Sequence, residues 1–444
     1  MLIKKLTKHN KRSFFMKNIA TKRIISILLS LALVFGALFS LSSCKFVLGS
    51  VLDDGQSDGG DGSGDVPPVN NGGDEEESEV PEFLPVDETV NLENLTSAQA
   101  ALLSAVKISA SFNVYTGYGT NTSTAIQEGA GVIYKLDKEA GDAYIITNYH
   151  VVYNRNASNS SKLSADISLY LYGQEGEAYK IKALCLGGSM TYDLAVLRVS
   201  GSEVLKNSYA KAAALGNSDT VTPLDTVVAI GNPERQGISV TEGIVSVDNE
   251  LLSMLGADGY SAVSLRVMRV SAAINEGNSG GGLFDAQGKL VGIVVAKKSG
   301  SDIDNIGYAI PINSAKNTAD AIIHYCDGTT NVTLYKCIVG ITPDANVTGL
   351  VIDEASGKII KAERVIVEGV NNDSLLSGIL GVGDVINSVT VDGVKKEVTR
   401  IHHVLDHMMT ARVGSTVSFN ITRDSVTFEI TPITLPESSK VAVK

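Results

Sequence analysis

The feature that most constrains this fold is a long succession of short apolar runs separated by turn residues. They fall at 131–134, 144–147, 166–172, 179–186, 194–199, 226–230, 237–247, 267–274, 283–296 (turning at 285–288) and 306–312. Runs of this length, rich in Val, Ile and Tyr and bounded by Gly, Asn and Asp, read as strands. So many of them over about 200 residues predict a mainly β domain, a barrel or a sandwich. Helical spacing over 314–325 predicts a closing helix. At the other end, Thr96-Ser97-Ala98-Gln99 is a capping box, and it predicts a helix running to about Ile108.

The remainder differs in kind. Residues 332–436 read as a small α+β module. It has a turn-rich entry to a strand at 378–386, helical spacing over 399–410, and a strand pair turning at Arg423-Asp424. At the start, Lys17, Lys22 and Arg23 precede an apolar run over 24–41 that closes with Leu41-Ser42-Ser43-Cys44, an export-signal pattern whose start is Met1 or Met16. Residues 45–90 are rich in Gly, Asp, Glu, Ser and Pro, too polar to bury a core, and are expected to form an extended tether.

The formal net charge of −12 argues against nucleic acid as a partner. Four cysteines, with no CxxC, are too few for a disulfide scaffold. Cys185 reads as a buried thiol, while Cys326 and Cys337 read either as unpaired thiols or as a bridge between domains.

One stretch fits neither packing nor a plain strand: Asn275-Glu276-Gly277-Asn278-Ser279-Gly280-Gly281-Gly282-Leu283. Its glycines cost backbone entropy, so a demanding backbone task explains them better than packing does. Exposing a serine hydroxyl among converging N–H groups is such a task, although an ordinary hairpin loop has the same composition. A serine nucleophile needs a base and a group to orient that base. The β-rich region supplies His150 at the end of the run Tyr144-Ile145-Ile146-Thr147-Asn148-Tyr149-His150, and Asp193 at the head of Leu194-Ala195-Val196-Leu197. His150 is the only histidine between His9 and His324. The order His, Asp, Ser is that of the chymotrypsin-like double β-barrel.

The motifs TNYHVV (147–152), YDLAVLRV (192–199) and INEGNSGGGL (274–283) resemble those of the HtrA family of trypsin-like serine proteases. AIGNP (229–233), TEGIVS (241–246) and IGYAIP (306–311) do so too, and GILGVGDVINSV with GSTVSFNITRD resembles the family's C-terminal PDZ domain. The resemblance covers about 95–435. It implies a double β-barrel protease domain over 91–330, a PDZ domain over 331–437 and a tail over 438–444. It also implies a serine endopeptidase that needs neither metal nor cofactor.

Carried onto this chain, the resemblance makes His150 the general base, Asp193 its orienting partner and Ser279 the nucleophile. The backbone N–H groups of Gly277, Asn278 and Ser279 form the oxyanion hole. Ile274, Val295 and Ala296 border the primary specificity pocket, near which this chain departs from the family: Ser271 stands in place of an acid, and Val294-Val295 follow Gly292-Ile293. The loop Ile338-Val339-Gly340-Ile341 receives a peptide's terminal carboxylate by strand addition, or is simply a first strand. His403 and His407, four apart on a helix, read as surface or groove residues rather than a metal pair.

The N-terminal pattern resembles a bacterial lipoprotein signal over 1–44 that lipidates Cys44, the alternative being an uncleaved membrane anchor. The implied partners are unfolded or misfolded exported proteins, C-terminal peptides and the membrane, in a homotrimer on the outer face of the cell membrane. The alternative function is a chaperone or peptide sensor in which proteolysis is secondary.

Overall fold

Two sheets close on themselves. The first comprises β1 (Ala105–Tyr115), β2 (Thr122–Asp137), β3 (Asp142–Thr147), β4 (Asp166–Leu171), β5 (Ile181–Ser189) and β6 (Leu194–Val199). Its order is β5-β4-β1-β2-β3-β6, and β5 also pairs with β6, which completes a barrel. The second comprises β7 (Thr226–Gly231), β8 (Ser239–Leu255), β9 (Ala262–Val270), β10 (Gly282–Asp285), β11 (Leu290–Val295) and β12 (Gly307–Pro311). It closes in the order β10-β11-β12-β9-β8-β7. This is the chymotrypsin-like double barrel. The computed structural model describes residues 95–116, 122–233, 236–295, 306–326, 332–354 and 356–443. Cys44, the 1–44 and 45–90 segments and Ala296 lie outside them.

Alternation decides which face meets which core. Ile133 and Ile145 point into the first barrel with Val106, Ile108 and Leu197. Their neighbours Val132 and Ile146 face a second core shared with Ile230, Phe284, Leu290 and Ile293 of the other barrel. Strands buried on both faces read as continuous apolar runs, which is why they were legible.

The capping box forms as expected, with Thr96 Oγ1 accepting from the Gln99 N–H, but α1 spans only Ser97–Leu102. The expectation of a helix to Ile108 is corrected by the buried alternation of Val106, Ile108, Ala110 and Phe112 in β1. Single helical turns follow at α2 (Tyr149–Val152) and α3 (Glu203–Lys206). The expected closing helix is α4 (Ile312–His324), which buries Ala315, Ala319 and Ile322 against the shared core.

After α4, β13 (Val332–Cys337) joins β5 in parallel. The C-terminal module contains β14 (Ile341–Ile352), β15 (Ile359–Val370), β16 (Val385–Val391), β17 (Val394–Glu397), α5 (Ile401–Met408), β18 (Thr416–Arg423), β19 (Val426–Glu429) and β20 (Ile433–Thr434). Its sheet runs β14-β15-β16-β18-β19, with β17 on β16 and β20 on β18. Its core gathers Val365, Val367, Val389, Val404, Phe419 and Ile421. Within the expected tail 438–444, β21 (Lys440–Val443) runs antiparallel to β13.

Ion pairs fasten the module to the barrels. Arg400, 4% exposed at its side chain, reaches Glu363 Oε1 (3.2 Å) within the module and Asp248 Oδ2 (2.8 Å) on β8. Lys358 meets Asp225 at 2.6 Å, Lys396 meets Asp219 at 2.5 Å, and Arg266 meets Asp406 at 3.0 Å. Among the described cysteines no disulfide joins Cys326 to Cys337.

Candidate active site

Strand register brings the first two candidate residues together. β3 and β6 are antiparallel with Thr147 opposite Ala195, so the end of β3 lies beside the start of β6. The chain leaves β3 through Asn148 into the turn α2, and buried Val151 and Val152 pin that turn to the first barrel. His150 is thereby set over Asp193, whose Oδ2 accepts from His150 Nδ1 at 2.8 Å. Asp193 Oδ1 lies 3.1 Å from the same nitrogen and also accepts the His150 main-chain N–H at 3.1 Å. An aspartate held on Nδ1 fixes the proton there and leaves Nε2 as the basic nitrogen.

Asp193 has φ +48°, in the left-handed region that non-glycine residues seldom occupy. Its carbonyl accepts the side-chain N–H of fully buried Asn148 at 2.9 Å. The hydroxyl of Thr147 donates to the Ala130 carbonyl at 2.7 Å, tying the same bend to β2.

Ser279 sits in the connection between β9 and β10, and that connection is stitched to both barrels. The Ser279 carbonyl accepts the Ala130 N–H of β2 at 2.9 Å. On the other side, the Gly280 N–H donates to the Val294 carbonyl (2.9 Å), and the Val294 N–H donates to the Gly281 carbonyl (2.8 Å). Gly280, at φ +84°, passes so close that an added Cβ would lie 2.2 Å from Thr147 Oγ1 and 2.3 Å from the Ala130 oxygen. Only glycine fits there.

Gly277 has φ +96° at the third position of a turn closed by the Asn278 N–H on the Asn275 carbonyl (3.1 Å). Asn278 is therefore corrected as an oxyanion donor, because its N–H is already used. Gly277 is buried, and among the described residues its N–H has no acceptor. A buried donor without a partner calls for an explanation, and an anion developing beside Ser279 is one.

Ile274 lies against the backbone of Gly307, where an added Cβ would fall 2.4 Å from Ile274 Cδ1. Val295 ends β11 opposite Tyr308 and is buried, while Ala296 is outside the described residues. In the loop 338–341, the Ile338 N–H is spent on the Ser439 carbonyl (2.9 Å), which removes it from the carboxylate-binding donors. Gly340 has φ +74°, and β14 following it is an edge strand. His403, expected at the surface or in a groove, is buried with His402 against Asp219, whereas His407 Nε2 lies 2.9 Å from the Val394 carbonyl. Burial pushes the Cys185 thiol up to about 12, so it is no nucleophile.

Asn148, Thr147 and Gly307 were not singled out from the sequence. Asn148 and Thr147 lie inside the quoted TNYHVV motif and Gly307 inside IGYAIP, so position within a motif was the available signal.

Residues 129–293 match the family described as trypsin-like peptidase domain. Serine protease Do-like HtrA of Bacillus subtilis (strain 168) is 38% identical over 213 residues, which are 46% of this chain and 42% of that protein. Serine protease Do-like HtrA of Lactococcus lactis subsp. cremoris (strain MG1363) is 35% identical over 197 residues, 43% of each. Among solved structures, an HtrA-type protease AlgW with decapeptide is 25% identical with a TM-score of 0.46, covering 76% of this chain and 98% of that one. The chain thus spans less than half the length of these curated relatives. The sequence matches support an HtrA-type trypsin-like serine protease domain in this chain.

Proposed function

We propose that the chain is a serine endopeptidase acting through an acyl-enzyme on Ser279. The observation that carries this is the Asp193–His150 pair beside a serine loop whose buried Gly277 N–H has no acceptor. In the proposed cycle His150 Nε2 takes the Ser279 hydroxyl proton as Oγ attacks the substrate carbonyl. Asp193 holds the Nδ1 proton and stabilises the imidazolium. The N–H groups of Gly277 and Ser279 receive the oxyanion, each such donor being worth about 3–4 kcal/mol in the transition state. His150 then returns its proton to the leaving amine, and water repeats the sequence on the ester.

In this reading the substrates are unfolded or damaged exported proteins. Small aliphatic side chains enter beside Ile274, whose contact with Gly307 supports a shallow apolar pocket. Residues 331–437 act as a PDZ domain that takes C-terminal peptides at the outer edge of β14 beside Gly340. Cys44 is lipidated, which tethers the enzyme to the outer face of a bacterial membrane, and three chains associate.

Labelling with a fluorophosphonate tests the core of the proposal. Wild type is expected to label at Ser279 and to cleave casein, and Ser279→Ala to do neither while remaining folded. An unlabelled but folded wild type in the presence of C-terminal peptides overturns it. A mature N-terminus without a diacylglyceryl mass on Cys44 overturns the lipid anchor alone.

A further inference from the structure

Where the C-terminal module meets the second barrel, three metal-ligating side chains converge from two distant parts of the chain. Asp219 lies on the short turn Ser218–Thr220, and His402 and His403 lie in the first turn of α5. His402 Nε2 is 3.7 Å from Asp219 Oδ1, and His403 Nε2 is 3.8 Å from Asp219 Oδ2. The two imidazoles meet edge to face, centroids 4.7 Å apart. These gaps are too long for hydrogen bonds. They are close to the separation of about 3.4 Å or a little more between ligands held about 2.0–2.1 Å from one ion.

Two polar atoms here lack partners. Asp219 Oδ1 and His402 Nδ1 are buried with no hydrogen-bond partner, and the His402 side chain is 8% exposed. An orphaned carboxylate oxygen such as Asp219 Oδ1 in a packed interface is costly unless a cation takes it. We infer that Asp219, His402 and His403 form a site for a zinc-type transition ion that bridges the second barrel and the C-terminal module.

The surroundings suit this chemistry. Three cations face the site: Lys396 from β17, Arg266 from β9 and Arg400 at the head of α5. Each is already paired: Lys396 with Asp219, Arg266 with Asp406, and Arg400 with Glu363 and Asp248. Lys396 occupies Asp219 Oδ2 and leaves Oδ1 for an ion. His403 Nδ1 accepts the Thr399 main-chain N–H at 3.3 Å and lies 3.5 Å from Thr399 Oγ1. Binding through Nε2 would move the ring proton to Nδ1 and exchange the Thr399 N–H bond for one donated to the Thr399 hydroxyl.

Ion binding at this site is independent of proteolysis. Full-length protein without a histidine tag, stripped with EDTA, is titrated with Zn2+ by calorimetry and followed by thermal unfolding. The expected result is about one Zn2+ per chain, a raised unfolding midpoint, and no comparable response to Mg2+ or Ca2+. Asp219→Asn, which keeps the side-chain shape, and His402→Gln are each expected to weaken binding at least tenfold. Lys396→Met, which removes the competing ammonium, is expected to tighten it. Should His402→Gln fail to fold, Asp219→Asn and Lys396→Met still decide. No zinc binding by wild type, or equal binding by wild type and Asp219→Asn, overturns the inference.

Discussion

The side-chain N–H of Asn148 donates to the main-chain carbonyl of Asp193 at 2.9 Å, across the gap between the ends of β3 and β6. It holds in place a residue whose φ of +48° would otherwise relax. Asn148→Ala removes this bond and leaves a buried carbonyl unpaired, at about 1–3 kcal/mol. The expected outcome is lower kcat on a peptide substrate with KM little changed, because the imidazole loses its orientation rather than the substrate its pocket. Steady-state kinetics check this, and an unchanged kcat would refute it.

Gly277 and Gly280 are expected to respond differently to alanine. At Gly280 the added Cβ meets Thr147 and the Ala130 carbonyl at 2.2–2.3 Å on a backbone of φ +84°, so both strain and overpacking apply. About 2–5 kcal/mol of stability is at stake, visible as a lowered thermal midpoint. Gly277→Ala forces only the turn at φ +96° to change, which re-aims its N–H. Fluorophosphonate labelling should fall by two orders of magnitude or more while the midpoint moves little.

Arg400 is buried between Glu363 and Asp248, and all three side chains are at most 19% exposed. Arg400→Ala leaves two carboxylates facing each other without their cation, which costs about 3–5 kcal/mol. Denaturant unfolding should show a lower midpoint, or a separate early transition for the C-terminal module.

Acid should weaken the module through Asp384. Its carboxylate takes Arg423 Nε and an Arg423 terminal nitrogen, both at 2.7 Å, and the Gly381 N–H at 2.8 Å. The Arg423 bonds, the larger cause, and the Gly381 N–H hold its pKa below the usual carboxylate range. A lowered folded-state pKa gives stability that is complete above the unfolded value of about 4 and is lost as pH falls through the folded one. Asp384→Asn should therefore lower the thermal midpoint at pH 7, and the two proteins should converge as pH falls below the lowered folded-state pKa. A gap that persists at the lowest pH would contradict the assignment.

The two barrels were legible because β11 and the inner stretches of β2 and β3 are buried on both faces and read as apolar runs. His150 and Asp193 stood out because each ends or begins such a run, and Ser279 because its glycine-rich stretch fits neither packing nor a plain strand. The start of β1 is hidden behind the capping box, which is real, yet the short helix it opens yields to strand alternation. The hairpin β14–β15 carried little signal because most of β14 is exposed and polar residues interrupt it. Asn148 is informative only once Asp193 is seen 45 positions later, and Arg400 only beside Asp248, 152 positions earlier. Contacts of that span leave no local pattern.

β13 carries the chain into the C-terminal module and β21 brings it back, and the two lie side by side on the edge of the first barrel. Topologically the module is an insertion between two neighbouring strands rather than a bead on a string. A bead pivots freely about one leash. An insertion with both stems anchored tips about the line through them, like a door on a two-pin hinge. Whatever the module binds is therefore expected to act on the barrels as a torque about that axis, and clipping the last strand should turn a hinge into a leash.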